Sequence, residues 1–252
     1  MPNDSASRFR FIAHALAGDG PFRPTVTLDG MGRATTAGSS YLVRYPRESD
    51  DKFARRNEIA FYASPLAQAC SRFVGYLSTK SPEREFPHDL YVPMAHDIDG
   101  KGNSIDVFMQ QFAINAKARG SMLLLVDMPE TMADSLGEQI SSRVAPYWSA
   151  ITPESITDYV LGDDGKFESV DFSGNWERPS DEARIPCTWR FDSNGWAAYD
   201  RENKPLDAGI HGLGECPVLI FTENGDFPNF GTFAAIADLA KRLFNLDSEL
   251  DE

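Results

Sequence analysis

An apolar stretch that follows a helical pattern without a linker is the feature that most constrains this fold. Ser104 is the predicted N-cap of a helix, and Gly120 ends that helix in the left-handed conformation that glycine adopts most easily. Residues 122–126 then read Met-Leu-Leu-Leu-Val, without polar alternation, which is typical of a strand covered on both faces. The sequence therefore predicts a central strand entered directly from a helix. The inward residues of that helix are Ile105, Phe108, Phe112 and Ala116.

Two further helices are predicted upstream. Ser49, followed by two aspartates, suits the exposed amides and the dipole of a helix start, and this helix should run to about Ala63. Ser64 and Pro65 then supply a cap and a first helical residue for the next helix. An apolar stripe at helical spacing follows: Leu66, Ala69, Cys70, Phe73, Val74 and Leu77.

The second half of the chain reads as short strands and hairpins. Turn residues at 162–165 and 193–195 separate short aromatic runs, and residues 217–221 give one more strand. The tryptophans Trp176, Trp189 and Trp196 are expected to fill the sheet core, because stacking on bases would need nearby positive charge. The predicted class is α+β, with helices packed on a small sheet and hairpins.

The chain divides into three parts in this interpretation. Residues 1–40 are rich in glycine and proline and have little periodicity, so they are expected to form an arm rather than a core element. Residues 41–231 form the α+β domain, in which 129–146 look like an insertion. From residue 232 a helix should run to the chain end, which suggests a truncated chain or a helix that other chains complete.

The terminal helix carries a candidate contact seam. Its apolar residues recur at steps of three and four, close to a heptad pattern. A single acidic domain is not expected to cover all of them, so they are the candidate residues for oligomer or stem contacts. They are Ile236, Leu239, Leu243, Leu246 and Leu250.

Charge and composition exclude several classes of function. The formal net charge is −14, and residues 1–80 carry 11 Lys and Arg against 7 Asp and Glu, which leaves 13 against 31 in residues 81–252. Such an acidic surface repels phosphate backbones, so wrapping or reading duplex DNA is not expected. The three cysteines are far apart, which favours a reduced, cytosolic chain, and no apolar run is long enough for membrane insertion.

A glycine-bearing acidic turn raises the question of a metal site. His96, Asp97 and Asp99 offer ligands, and Gly102 stands at the sixth position counted from Asp97. The twelfth position of a calcium loop, which needs a glutamate, is instead Phe108. We interpret the segment as a turn that caps the following helix. We predict no metal, cofactor or catalytic residue, because the sequence contains neither the HExxH zinc motif nor the GxSxG motif of a serine nucleophile.

Two other clusters have simple interpretations. The glycine-rich residues 30–33 lack the lysine of a phosphate-binding loop, so they are interpreted as part of a flexible arm. A basic cluster that spans the start of the helix predicted after Ser49 could meet DNA or an acidic neighbouring subunit, but its alternation with acidic residues favours a solvated face. Its members are Arg44, Arg47, Lys52, Arg55 and Arg56.

The order of several motifs resembles a bacteriophage portal protein family, one long catalogued as a domain of unknown function. The resemblance begins with Tyr-Leu-Val-Arg-Tyr-Pro at 41–46 and continues through the acidic turn at 97–104, the helix-glycine-strand segment at 119–129, and Cys-Pro-Val at 216–218. It covers roughly residues 41–252. Subunits of this family continue after this helix with a clip, a second stem helix and later segments, so the chain is expected to be either a fragment or one part of a split gene product, and terminase or adaptor contacts made by a clip are not assigned to its residues.

The resemblance implies a structural subunit without enzymatic activity. Residues 41–231 would form a wing-like domain, and residues 232–252 the start of a stem-like helix. The resemblance also implies a dodecameric ring at one capsid vertex of the virion, after assembly in the host cytoplasm. Implied partners are the major capsid protein, terminase, adaptor or tail proteins, and genomic DNA that passes through the channel during packaging and ejection without sequence-specific binding.

Two other functions stay open at this point. One is a small cytosolic α+β enzyme, metal-assisted through His96, Asp97 and Asp99. The other is a different structural protein of the phage head or connector, which would share the ring but not the motif order. A metal assay and a particle image, respectively, distinguish these hypotheses from a portal subunit.

Overall fold

The computed structural model describes residues 3–23, 25–28, 34–37, 40–86, 91–128, 146–177 and 184–250. The helices of this part are α1 (Asn3–Ala17), α2 (Asp50–Ile59), α3 (Pro65–Leu77), α4 (Tyr91–His96), α5 (Ile105–Arg119) and α6 (Ala234–Leu250). The strands are β1 (Thr25–Leu28), β2 (Ala34–Ala37), β3 (Ser121–Asp127), β4 (Tyr147–Ile151), β5 (Ile156–Leu161), β6 (Phe167–Glu177), β7 (Arg184–Asp192), β8 (Gly195–Tyr199), β9 (Pro205–Ile210) and β10 (Val218–Thr222). The fold is therefore mixed α+β, as predicted.

The strands form three antiparallel sheets. A ribbon pairs β1 with β2, a three-stranded sheet has the order β10-β3-β4, and a five-stranded sheet runs from β5 to β9 in chain order. Strand β3 lies in the middle of its sheet, where Leu124 is opposite Leu219 on one side and Ala150 on the other. This confirms the predicted central strand, and the predicted turns at 162–165 and 193–195 connect neighbouring strands of the five-stranded sheet.

Three apolar clusters hold these elements together. The helical cluster brings residues of α1, α3 and α6 around Phe22, Tyr62 and Phe244. A second cluster lies between the three-stranded and the five-stranded sheets, and a third covers the other face of β3 with residues of α5. Trp189 and Trp196 pack against the second cluster, as predicted, whereas Trp176 is half-buried.

The N-terminal segment is part of the core, and its prediction as an arm is wrong for α1. Phe9, Ile12 and Ala15 of this helix are fully buried, and the last two belong to the helical cluster. Their spacing of three residues places them on one side of a helix. Packing against α3, α5 and α6 supplies the stability that the short, alanine-rich pattern did not indicate. The glycine-rich residues 30–33 and most of the predicted insertion lie outside the described residues.

The predicted helix ends are mostly correct, with one exception. Ser49 and Ser104 cap α2 and α5, and each hydroxyl accepts a hydrogen bond from an amide three residues later. Gly120 ends α5 with a φ of 83°. Ser64 is not a side-chain cap: its φ is 47°, and its hydroxyl donates to the carbonyls of Ala15 and Leu16 instead. It therefore fastens the end of α1 to the start of α3.

The predicted apolar stripes are confirmed in part. In α5, Phe108 and Phe112 are buried and the other two inward residues pack beside them. In α3, the buried residues are Leu66, Cys70 and Val74, whereas Phe73 and Leu77 are exposed. The predicted helix is therefore confirmed, but its apolar stripe is buried only in part. Helix α2 ends at Ile59, four residues before the predicted end.

Candidate assembly surface

Helix α6 packs on its own domain through a face of small residues. Ala234, Ala237, Ala240 and Phe244 are buried in the helical cluster. Alanines let α6 approach α1 and α3 closely, and the Phe244 ring fills the remaining space against Phe22 and Tyr62. The orientation of α6 is therefore fixed by alanines and one aromatic ring, and not by its leucines.

The leucines of α6 face away from the domain. Leu239, Leu243 and Leu246 have exposed fractions of 57%, 49% and 54%, and their spacing of four and three residues places them on one side of the helix. We call these three residues the leucine face. Of the other predicted seam residues, Ile236 is partly buried against the helical cluster, and the side chain of Leu250 lies outside the described residues.

Polar contacts hold α6 in position along its length. Arg8 of α1 donates two hydrogen bonds to the carboxylate of Asp238, at 2.7 and 2.5 Å. These bonds hold the pKa of Asp238 below its ordinary value. About two turns further on, the Asn245 side chain accepts a hydrogen bond from the Val43 amide at 2.6 Å and donates one to the Tyr41 carbonyl at 3.1 Å. The leucine face is therefore presented by a helix that is fixed at several points.

A buried ion pair supports the far end of α6. The Arg56 guanidinium donates to both carboxylate oxygens of Glu48, at 2.8 and 2.9 Å, and to the Ser248 hydroxyl at 3.1 Å. Its hydrogen bond lowers the pKa of Glu48. Burial would lower the pKa of Arg56, but the hydrogen bond and charge of Glu48 outweigh it and raise that pKa. The Tyr45 ring lies 4.6 Å from the guanidinium carbon.

This ion pair corrects the interpretation of the basic cluster as a solvated face. Arg56 has an exposed fraction of only 1%, because Glu48 supplies the opposite charge that makes its burial possible. Arg44 pairs with Asp50 at 2.6 Å, whereas Arg47 and Arg55 are exposed, as a solvated face requires. The cluster is therefore divided between the protein interior and the surface.

The acidic turn after α4 forms local hydrogen bonds. The Asp97 carboxylate accepts from the Gly102 amide at 2.8 Å, and Asp99 accepts from the amides of Lys101 and Asn103 at 3.0 and 3.2 Å. Burial would raise the pKa of Asp99, but the hydrogen bonds from the Asn103 side chain and from these amides hold it below its ordinary value. The arrangement is a hydrogen-bonded turn that leads into the Ser104 cap. Across the described ranges, no three His, Cys, Asp or Glu side chains come together as a metal group.

Sequence reasoning missed the division of α6 into two faces. A search for large apolar residues selects the leucines, whereas the signal for the buried face is the series of alanines at steps of three, ending in Phe244. It also missed the burial of Arg56. Glu48 stands eight residues earlier, so no helical spacing marks the pair.

Comparison of the sequence with protein-family models and with curated proteins gave no match. Among the described residues, no helix has the length and apolar character needed to cross a bilayer. The function is therefore inferred from the residues and their geometry.

Proposed function

We propose that this chain is a structural subunit of a bacteriophage portal ring, the connector at one capsid vertex through which DNA is packaged and ejected. The observation that carries the proposal is the leucine face of α6. Three leucines about half exposed, at heptad spacing on a fixed helix, form a surface suited to another helix. Neighbouring copies in a ring supply such helices.

The order of sequence motifs selects a portal among ring-forming proteins. The motifs from 41–46 to 216–218 follow the order of the portal family, and the α+β domain followed by a helix corresponds to a wing and the start of a stem. By this proposal the ring is dodecameric and contacts the major capsid protein, terminase and adaptor or tail proteins. It acts in the virion and assembles in the host cytoplasm.

The acidic charge suits a channel protein. Twelve copies at −14 each repel the phosphate backbone of passing DNA, which limits adhesion during translocation. The subunit itself then needs no catalytic residues, because ATP would be hydrolysed by the terminase, the motor that packages the DNA. Genomic DNA is thus a partner that passes through the ring without sequence-specific binding.

The test combines assembly in solution with the location of the chain in particles. Electron microscopy of virions labelled on this chain should place it at a single vertex, and sedimentation of the chain should reveal a species larger than a monomer. Label distributed over the whole capsid, or found on the tail alone, would contradict a portal role. Turnover of nucleotides or esters that is lost in an Asp97→Asn variant would instead favour the metal-assisted enzyme.

A further inference from the structure

A groove between α1 and α6 has features of a ligand site. Its volume of about 860 Å³ lies within the range of roughly 300 to 1,000 Å³ typical of small-molecule sites. Lys241 of α6 lines this groove, and it precedes Leu243 by two residues. At about 100° of rotation per residue these two side chains leave the helix on nearly opposite sides, so the groove is separate from the leucine face.

The lining of this groove has an excess of one positive charge. Its lining includes Arg8, Arg10 and Lys241 against Asp4 and Asp238, and Arg8 is neutralised by its bidentate pair with Asp238. Within the described part of the chain, neither Arg10 nor Lys241 forms a salt bridge, although the charge of Lys241 also acts on the Asp238 carboxylate. In a protein of net charge −14, two such cations in one concavity make a local site for an anion.

The cations rest on an aromatic floor. The Lys241 ammonium lies 4.9 Å from the centre of the Tyr41 ring and 5.7 Å from that of Phe11, and the Arg8 guanidinium carbon lies 5.3 Å from the Phe11 ring. Cation–π contacts of this kind hold a long side chain in place. Arg10 and Tyr41 both line the groove; burial raises the pKa of Tyr41, and the positive charge of Arg10 opposes that rise.

Gly20 lies close to His14, one of the residues that line the groove. Gly20 has a φ of 56°, and a Cβ atom added to it would lie 2.8 Å from the His14 ring. His14 also lines the groove, where its Nδ1 lies 2.9 Å from the Tyr41 hydroxyl. Two residues of the groove lining are therefore joined to each other by a hydrogen bond.

We propose that this groove binds a small phosphate-bearing anion through Arg10 and Lys241. Guanidinium and ammonium groups are the usual protein partners of phosphate oxygens. A small ligand is favoured over nucleic acid or an acidic protein, because the surrounding charge of −14 repels a large polyanion at long range. The phosphate belongs either to inorganic polyphosphate or to a nucleotide, and the two sources share the same contacts.

Calorimetric titration with tripolyphosphate at low ionic strength tests this site. The unaltered chain should bind one equivalent, and Arg10→Gln with Lys241→Gln should weaken binding by at least about tenfold. The matched control is Arg47→Gln with Arg55→Gln, two exposed cations outside the groove, which removes the same charge and should change the affinity less than about twofold.

The source of the phosphate follows from a second titration. A nucleoside triphosphate that binds more tightly than tripolyphosphate identifies a nucleotide site, and equal affinities identify polyphosphate. Absence of tripolyphosphate binding to the unaltered chain, or equal weakening in both double variants, would overturn the proposal. Arg10→Gln alone provides a check that does not depend on folding, because Arg10 is exposed. The result is independent of ring formation, so it neither requires nor tests the portal proposal.

Discussion

Gly120 and Gly231 pack backbone against backbone at the junction of α5, β3 and the segment that leads to α6. A Cβ atom on Gly120 would lie 1.8 Å from the Gly231 amide nitrogen, and the Gly120 φ is 83°. The carbonyl of Gly120 also accepts a hydrogen bond from the Glu223 amide at 2.9 Å. This one residue therefore ends a helix, starts the central strand and admits a neighbouring chain segment.

We predict that Gly120→Ala destabilises the protein by at least about 2 kcal/mol, because the left-handed backbone and the contact with Gly231 both oppose a side chain. The measurement is equilibrium unfolding in urea. Gly75→Ala is the matched control, since Gly75 lies inside α3 with open space around its Cβ position. That control should stabilise the protein by about 0.5 to 1 kcal/mol. Equal effects of the two substitutions would contradict the proposed packing.

Gly120 shows which structural features could be predicted from the sequence and which could not. Gly120 could be predicted as a helix end, because its own conformational freedom and the surrounding helix and strand patterns are local. Its contact with Gly231 could not, because 110 residues separate the two and only the folded chain brings them together. The same holds for Ser64, whose position before Pro65 indicates a cap but whose hydroxyl is used by carbonyls of α1.

The candidate site shows the same limit. The spacing of Leu239, Leu243 and Leu246 could be read from the sequence, and it is a property of one helix. Which side of α6 the domain covers could not be read, since large leucines are ordinarily the stronger candidates for burial. Helices α1 and α3 lie close to α6. The alanine face is the buried one because its small side chains leave room for this approach.

The buried pair of Arg56 and Glu48 should be essential for folding. Arg56→Met leaves Glu48 as an uncompensated buried charge, so we expect a loss of about 3 to 5 kcal/mol in unfolding free energy. Lys166→Met breaks the exposed pair with Glu215 and should have no measurable effect, because water already solvates both groups. A small effect of Arg56→Met would indicate that Glu48 finds water or becomes protonated in the variant.

The same pair predicts how stability depends on pH. The folded-state pKa of Glu48 is lowered by Arg56, so its contribution is fully present above the ordinary glutamate pKa of about 4.5. This contribution is lost as the pH falls through the lowered folded value, because Glu48 then binds a proton in the folded state as it already does in the unfolded state. Urea unfolding from pH 6 downward should show a fall in stability below about pH 4.5 that is smaller in Glu48→Gln. Parallel curves for both proteins would contradict this assignment.

The acidic turn should behave as a structural element and not as a calcium site. Asp97 and Asp99 already accept hydrogen bonds from backbone amides, so chelator is expected to leave the melting temperature unchanged. Asp99→Ala should lower it, because it removes acceptors from two amides and the Asn103 side chain. A rise of several degrees on addition of calcium would show that the turn binds the ion.

The leucine face gives the sharpest test of assembly. Full burial of a leucine is worth roughly 1.5 to 3 kcal/mol relative to exposure, and about half of that remains for each of these half-exposed side chains. Leu243→Asp with Leu246→Asp replaces this gain with buried charge and should abolish higher species in sedimentation velocity. The domain should remain folded, because both side chains are about half exposed and the buried face of α6 is unchanged. Ile210→Asp with Leu213→Asp is the matched control: it adds the same charge at two exposed apolar residues away from α6 and should leave assembly intact. If the unaltered chain and virion-derived particles both lack a ring that contains this polypeptide, the assembly role and the portal proposal are wrong together. If the α6 variant still forms the ring, another surface joins the subunits, and the leucines have a different partner.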